Sequence, residues 1–183
     1  AFAQELAQLC DVYINDAFAV SHRAAASNTA ITKYVPVCAA GFLLKNEIEY
    51  FNKAMGNPTR PLVAIIGGAK VSDKILVIDN LLNLVDTLVI GGGMTYTFMK
   101  AQGMEIGKSL LDEAGIEVAK SAMAKAAEKG VKLLLPIDFV IADAFSNDAN
   151  TQAVKADGIP ADWQGLDIGP ETIGTFGAAV KRA

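Results

Sequence analysis

The stretch that decides the fold reads Ala64-Ile65-Ile66-Gly67-Gly68-Ala69-Lys70-Val71-Ser72-Asp73-Lys74-Ile75. It opens in a short apolar run, 62–66, bounded by Pro61 and by the two glycines, which predicts a buried strand. Apolar residues at helical spacing follow over 72–84, so the strand is expected to lead through the glycines into a helix. Glycines let the backbone approach a ligand, and a helix N-terminus offers free N–H groups to an anion. This arrangement predicts a phosphate site.

Two lysines strengthen that prediction. Lys70 and Lys74 are four residues apart, so if both are helical they share one face at the start of the helix. The helix dipole disfavours a cation there by roughly 0.3–1 kcal/mol, and a bound anion would offset this cost. The alternative is that Asp73 neutralises part of the charge and the lysines are solvated. The spacing is not that of a Walker A loop, because the glycines are adjacent and Lys70 follows Gly68 by two residues.

The composition narrows the class of protein. The 183 residues are 52% hydrophobic and 20% charged, enough for one domain or for one domain and part of another. The net charge is −4 and no basic stripe occurs, so no nucleic-acid partner is expected. Cys10 and Cys38 lack metal-ligand spacing, and one histidine is too few for a His-based zinc site. A reduced, cytoplasmic protein without a signal peptide or a membrane-spanning run is predicted.

Strand and helix patterns alternate after residue 61 and predict an α/β fold with a parallel sheet and helices on both faces. Segment 17–32 is expected to be an irregular loop, 41–55 an amphipathic helix, and 165–170 a loop. The linker 56–61, with two prolines and a glycine, predicts a domain boundary. Gly91-Gly92-Gly93 follows the predicted strand 87–90, as Gly67-Gly68 follows its own strand. The two glycine runs are therefore expected to line one crevice, although Gly91–Gly93 alone also fits a tight turn.

Two further pairs have alternative interpretations. Asp138 and Asp143 flank the predicted strand 139–142 and could act as paired carboxylates. Strand-end caps are favoured, because opposite ends of a strand do not converge. The planar guanidinium of Arg23, next to His22, suits a carboxylate or phosphate, and the alternative is a surface pair without a role.

Several longer motifs occur in order along almost the whole chain and resemble those of phosphoglycerate kinase. They are Asn15-Asp16-Ala17-Phe18, His22-Arg23-Ala24, Ala40-Gly41-Phe42-Leu43-Leu44, Gly67-Gly68-Ala69-Lys70-Val71-Ser72-Asp73-Lys74, Ile90-Gly91-Gly92-Gly93-Met94, Gly107-Lys108-Ser109-Leu110 and Gly165-Leu166-Asp167-Ile168-Gly169-Pro170.

The resemblance implies two Rossmann-like, three-layer domains joined by a helix. Residues 1–40 would end an N-terminal substrate-binding domain, 41–59 would form the interdomain helix and linker, and 60–183 would begin a C-terminal nucleotide-binding domain. The implied activity is the glycolytic one, reversible phosphoryl transfer from 1,3-bisphosphoglycerate to ADP, giving 3-phosphoglycerate and ATP. Mg²⁺ would accompany ADP or ATP, its protein ligand lying outside this chain, in a cytoplasmic monomer.

Residue roles follow from the matching motifs. Arg23 would bind the phosphate or carboxylate of the substrate, with His22 nearby, and closure of the two domains would bring Arg23 and Lys70 together. Lys70 would stabilise the transferring phosphoryl group, and Lys74 would hold the nucleotide phosphates. The nucleotide pocket would be shaped by Gly68, Ala69, Gly91, Gly92 and Gly93. Leu110 and Gly165 would also line it.

The sequence also departs from the family pattern. Ala25 replaces a second histidine, and Ala19-Val20-Ser21 replaces a common Gly-Thr-Ala. An N-terminal basic patch, a later tryptophan–asparagine–glycine–proline segment and a glycine-rich loop with the magnesium-binding aspartate are missing. Both ends therefore resemble internal positions, and the chain alone is predicted to be inactive. The competing hypotheses are a non-catalytic nucleotide-binding α/β module and a structural fragment whose glycines only make turns.

Overall fold

The chain divides after Pro58 into two units, Ala1–Pro58 and Thr59–Ala183, in a computed structural model that describes residues 1–183. The division falls within the proline- and glycine-containing linker 56–61. The substrate-binding and nucleotide-binding roles given to the two sides remain predictions.

The first unit contains a two-stranded parallel sheet. Its elements are α1 (Phe2–Ala7), β1 (Val12–Asn15), β2 (Val37–Ala40) and α2 (Phe42–Met55). The Asp16 carboxylate accepts a hydrogen bond of 2.9 Å from the backbone N–H of Leu44 and so caps α2. A Cβ on residue 41 would lie 2.2 Å from Cγ of Asp16. Gly41 therefore makes room for the cap that begins the helix.

Segment 17–32 is not the irregular loop that we expected. Short helical turns cover most of it: 3-10 turns at Phe18–Val20 and Ile31–Lys33, and a π-helical turn at Ala26–Ala30. The amide of Asn28 accepts a hydrogen bond from the backbone N–H of Ala25 and donates one to the carbonyl of Val20. Such side-chain bonds to the backbone stabilise isolated turns without a periodic apolar pattern. The pattern therefore could not reveal these turns.

The second unit begins with a parallel sheet, so the predicted α/β class is confirmed. Its strands are β3 (Val63–Gly67), β4 (Thr87–Gly91) and β5 (Lys132–Leu134), adjacent in that order. The intervening helices are α3 (Ile75–Leu81), α4 (Met94–Ala101) and α5 (Ile116–Lys129). Gly130 has φ +68° and ends α5.

A second, antiparallel sheet follows and was not predicted. It contains β6 (Asp138–Ala142) between β7 (Thr151–Lys155) and β8 (Gln164–Ile168), and α6 (Pro170–Val180) comes after it. The loop prediction for 165–170 is wrong, because 165–168 belong to β8. Gly165 and the Gly169-Pro170 pair flank this short segment and obscure its alternation, so the strand is recognisable only through its pairing with β6.

Helix α4 is the structural centre of the second unit. Every residue from Met94 to Met99 is buried. Met94 and Phe98 pack into the core beneath the parallel sheet, while Tyr96 and Met99 pack into a second core with Phe139 of β6. Helix α4 is therefore enclosed over most of its length, and it joins the two cores.

None of the six α-helices combines the length and the apolar character that crossing a bilayer requires.

Candidate nucleotide site

The two glycine turns of the second unit lie against each other. Gly67 at the end of β3 lies in register with Gly91 at the end of β4. Beyond them, the backbone N–H of Met94 donates a hydrogen bond of 2.7 Å to the carbonyl oxygen of Gly68. Gly92 has φ +66°, and a Cβ there would lie 3.0 Å from the backbone nitrogen of Gly68. Glycine is thus required at position 92 both by its dihedral angle and by the close approach of the turns.

The two lysines do not share a helical face, so that part of the prediction is wrong. Helix α3 starts at Ile75, not at Ser72, and a 3-10 turn at Ser72–Lys74 precedes it. Lys70 lies before this turn and is exposed. Lys74 is the N-cap of α3, so the helix dipole disfavours its charge, whereas Lys70 lies outside the helix.

Lys74 nevertheless reaches the glycine turn. A Cβ on Gly68 would lie 2.9 Å from Cε and 3.7 Å from Nζ of Lys74. Neither Lys70 nor Lys74 forms an ion pair within the chain, and both the anion-site prediction and the alternative of solvated lysines beside Asp73 remain open. Lys74 therefore lies beside the backbone of Gly68, which has no side chain, and neither Lys74 nor Lys70 has an ion-pair partner.

Asp112 holds the lysine-bearing turn in place. Its carboxylate accepts a hydrogen bond of 2.9 Å from the backbone N–H of Ser72, and its own N–H donates to the hydroxyl of Thr97 in α4. The hydrogen bond from the Ser72 N–H, followed by one from the Ser72 side chain, keeps the pKa of Asp112 below its usual value. Sequence reasoning missed Asp112, because nothing in the local pattern links it to residues forty positions earlier.

A cavity of about 220 Å³ adjoins the glycine turns. Four of the predicted nucleotide residues line it: Gly92, Gly93, Leu110 and Gly165. Thr95, Tyr96, Phe139 and Phe145 are among its other walls. Gly68 and Ala69 do not line it but lie against Gly93, whose Cβ position is 3.5 Å from the Gly68 carbonyl oxygen and 3.6 Å from Cα of Ala69. Gly91, Lys70 and Lys74 are not part of the wall.

Gly165 is fixed at the cavity by two contacts. Its backbone N–H donates a hydrogen bond of 2.9 Å to the hydroxyl of the buried Ser109. A Cβ on Gly165 would lie 2.2 Å from the phenolic oxygen of Tyr96, so no larger residue fits. Burial, and then the negative charge of Asp167, raise the pKa of Tyr96 to about 12. The phenol is therefore neutral at working pH and acts as an apolar wall with one polar end.

Asp138 and Asp143 have structural roles, as the favoured interpretation proposed. Burial alone would raise the pKa of Asp138. Hydrogen bonds from the Thr172 hydroxyl and from the backbone N–H groups of Glu171 and Thr172 nevertheless hold it below its usual value. Asp138 thus caps α6 from the other end of β6. Asp143 accepts two hydrogen bonds from Asn150 and closes a surface loop.

His22 and Arg23 lie in the first unit and are exposed. Two hydrogen bonds fix the backbone of Arg23. Its N–H donates to the carbonyl of Val20 at 3.0 Å, and its carbonyl accepts from the hydroxyl of Thr29 at 3.1 Å. The side chain of Arg23 forms no ion pair within the chain. Its guanidinium is therefore presented from an anchored turn.

Comparison with known proteins identifies the family. A family model for phosphoglycerate kinase matches residues 1–183. The chain belongs to the phosphoglycerate kinase family. A phosphoglycerate kinase of Geotalea uraniireducens is 56% identical over 182 residues, which cover 100% of this chain and 46% of the relative. One of Acidobacterium capsulatum is 55% identical over 183 residues, covering 100% and 45%. The chain spans about half the length of the curated relatives it matches.

Solved phosphoglycerate kinase structures have the same fold. The structure from Coxiella burnetii superposes with a TM-score of 0.87 at 43% identity, covering 99% of this chain and 46% of that one. The structure from Pyrococcus horikoshii gives 0.77 at 25% identity, covering 96% and 44%. These likenesses support the Rossmann-like α/β class.

The departures from the phosphoglycerate kinase pattern have a structural explanation in part. The hydroxyl of Ser21 donates to the carbonyl of Ala17 and accepts from the amide of Asn15. Ala25 contributes its backbone N–H to Asn28. The Ser21 hydroxyl therefore supports the turn that carries Arg23, whereas Ala25 contributes only a backbone group that any residue except proline would supply. Nothing in the structure explains the loss of the second histidine.

Proposed function

We propose that this chain forms part of a phosphoglycerate kinase that reversibly transfers a phosphoryl group from the acyl phosphate of 1,3-bisphosphoglycerate to ADP. The products are 3-phosphoglycerate, whose carboxyl group is the acceptor in the reverse direction, and ATP. Family membership along all 183 residues supports the assignment. Because the chain spans about half of its relatives, we expect turnover from a full-length relative and none from this chain alone.

The observation that carries the proposal is the pairing of the glycine turns with Lys74. Nζ of Lys74 lies 3.7 Å from the position that a Cβ on Gly68 would occupy. Because Gly68 has no side chain, the ammonium group lies directly beside the backbone of the turn. Phosphates have close access to such a surface and would be bound by the lysine charge. The adjoining cavity, lined by Tyr96 and Phe139, offers apolar walls to the ring system of the same nucleotide.

Charge and position, not acid–base chemistry, account for the proposed roles. A phosphate oxygen of ADP is already a nucleophile, so the reaction needs no general base. Phosphoryl transfer depends mainly on orientation and on neutralising the charge that spreads over the transferring group. Lys70, exposed and without an ion-pair partner, would supply that neutralisation. Lys74 would hold the nucleotide phosphates, and Arg23, with His22 nearby, would bind the phosphate or carboxylate of the substrate.

Magnesium would arrive with ADP or ATP. Among the 183 residues, no three His, Cys, Asp or Glu side chains cluster so that they could hold a metal ion. We expect the protein ligand of the ion to lie outside this chain, and no step is assigned to the metal. We also propose that the protein is a cytoplasmic monomer.

The substrate half of the proposal is testable with the single histidine as a reporter. His22 is the only histidine, so its imidazole resonances are unambiguous in a proton NMR spectrum. Titration with 3-phosphoglycerate should shift these resonances, and Arg23→Ala should abolish the shift while leaving MgADP binding unchanged. Lys33→Ala, which also removes one cation from the first unit, is the matched control and should retain the response. An unaltered titration of Arg23→Ala would contradict the proposal and favour a nucleotide-binding module without a substrate site.

A further inference from the structure

Thr95 is the one buried polar side chain whose hydrogen-bonding group has no partner. It is the second residue of α4, is 1% exposed, and its hydroxyl oxygen makes no hydrogen bond. Thr95 also contributes to the wall of the cavity beside the glycine turns. A residue with a buried, unsatisfied hydroxyl therefore borders the site to which the proposed function assigns a nucleotide ring.

The other buried polar side chains make this exception clear. Thr97, two residues further along the same helix, accepts a hydrogen bond from the Asp112 N–H. Ser109 accepts one from Gly165, and Thr172 and Asp138 bond to each other. Buried polar groups are nearly always paired, since an unpaired group keeps the full cost of losing water. The folded chain thus satisfies four such groups and leaves the fifth at the cavity.

The residues that line the cavity indicate which class of ligand it would bind. Leu110, Tyr96, Phe139 and Phe145 offer apolar and aromatic surface, and Gly92 and Gly93 leave it flat. No lysine or arginine lines the cavity, and Asp167 adds a negative charge, so a phosphate does not belong here. A planar heteroaromatic ring, apolar on its faces and polar at its edge, fits such a slot.

We propose that the Thr95 hydroxyl is a base-recognition group, which hydrogen-bonds the polar edge of the nucleotide ring. The inference rests on the proposed function in assigning a nucleotide to this cavity. The hydroxyl oxygen is buried in the folded chain, so the contact forms with a change of χ1, and helical threonine populates two χ1 rotamers. Binding of the base then satisfies a group that folding leaves unpaired, which favours nucleotides with hydrogen-bonding edges.

The test compares two variants and two nucleotides. Thr95→Val keeps the shape and removes the hydroxyl, and Thr95→Ser keeps the hydroxyl. The probes are ADP and the 5′-diphosphate of benzimidazole riboside, each with magnesium. The second has the same ribose and phosphates but lacks the exocyclic amine and the pyrimidine-ring nitrogens. Calorimetry measures each affinity, and circular dichroism measures the unfolding temperature without ligand.

We expect Thr95→Val to bind ADP about five- to tenfold more weakly than the wild-type chain, the range of one neutral hydrogen bond. It should bind the benzimidazole nucleotide equally well, and it should unfold at a higher temperature without ligand. Thr95→Ser should bind ADP like the wild type. Equal ADP affinities for the wild type and Thr95→Val would overturn the inference while leaving the proposed nucleotide site intact. A folded wild-type chain that binds neither nucleotide would overturn both.

Discussion

The carboxylate of Asp112 accepts a hydrogen bond of 2.9 Å from the backbone N–H of Ser72, forty residues earlier in the chain. This bond fixes the first residue of the 3-10 turn that ends at Lys74. Asp112 is itself attached to α4, because its N–H donates to the hydroxyl of Thr97. The position of Lys74 over the glycine turn thus depends on α4 through Asp112.

Asp112→Ala should loosen the lysine-bearing turn. The Ser72 N–H loses its acceptor, so we expect a loss of about 1 kcal/mol in the free energy of unfolding, the usual cost of losing a capping bond. For a chain of this size that is a decrease of roughly 2–4 °C in the unfolding temperature. Calorimetry should also show weaker MgADP binding. Asp112→Asn keeps a carbonyl acceptor and should lose less of both. Unchanged ADP affinity in Asp112→Ala would separate the turn from nucleotide binding.

The stability of the second unit should fall in acid through Asp138. Its folded-state pKa lies below the usual value, because hydrogen bonds from Thr172 and Glu171 favour the charged form despite burial. A depressed folded-state pKa adds stability that is complete above the unfolded-state pKa, near 4, and is lost as the pH falls through the folded-state value. Urea unfolding between pH 7 and pH 3 should therefore give a shallower pH dependence for Asp138→Asn than for the wild type. Identical slopes would show that Asp138 does not titrate with folding.

Gly92→Ala and Gly130→Ala form a matched pair. Both glycines have positive φ, +66° and +68°, so alanine at either position should cost about 1–2 kcal/mol of backbone strain. Only the Gly92 position is crowded, with a Cβ 3.0 Å from the Gly68 nitrogen, whereas nothing lies within 4 Å of the Gly130 position. Gly92→Ala should therefore also abolish MgADP binding, while Gly130→Ala should retain it. Equal ADP affinities in the two variants would contradict the close approach of the turns.

Gly165→Ala should collapse one wall of the cavity. A methyl group there meets the ring and the hydroxyl of Tyr96, so the ring or β8 must move. Overpacking of this kind costs about 1–3 kcal/mol, measurable by urea unfolding. Gly174→Ala in α6 is the control, since nothing lies within 4 Å of its Cβ position and alanine is favoured in a helix. Gly174→Ala should be neutral or stabilising, and a Gly165→Ala variant of wild-type stability would contradict the described cavity.

The parts of the site that the sequence could predict are those that depend on local chemistry. Gly67-Gly68 and Gly91–Gly93 each follow a short apolar run, and parallel strands bring their carboxyl ends to one edge. Their meeting therefore followed from the strand pattern alone.

The missed parts depend on contacts between distant residues. Helix α3 starts three residues later than its apolar spacing suggested, because Ser72 bonds to Asp112 and the turn closes as a 3-10 helix. Strand β8 forms by pairing with β6, and Ser109 fixes its Gly165. Neither bond has a signal in the adjacent sequence. Pattern reasoning could recognise the glycine turns but not the residues that hold them.

The most direct test of the nucleotide site is calorimetric titration of MgADP into this chain, its Lys74→Ala variant and its Lys129→Ala variant. Circular dichroism should first establish that all three are folded. Lys129 is an exposed lysine in the last turn of α5, so its removal changes the net charge by the same amount without touching the site. We predict that Lys74→Ala weakens binding by about tenfold or more, the loss of a charge-assisted hydrogen bond, and that Lys129→Ala binds like the wild type. Equal affinities for all three proteins would contradict the assignment of the phosphates to Lys74 and the glycine turn.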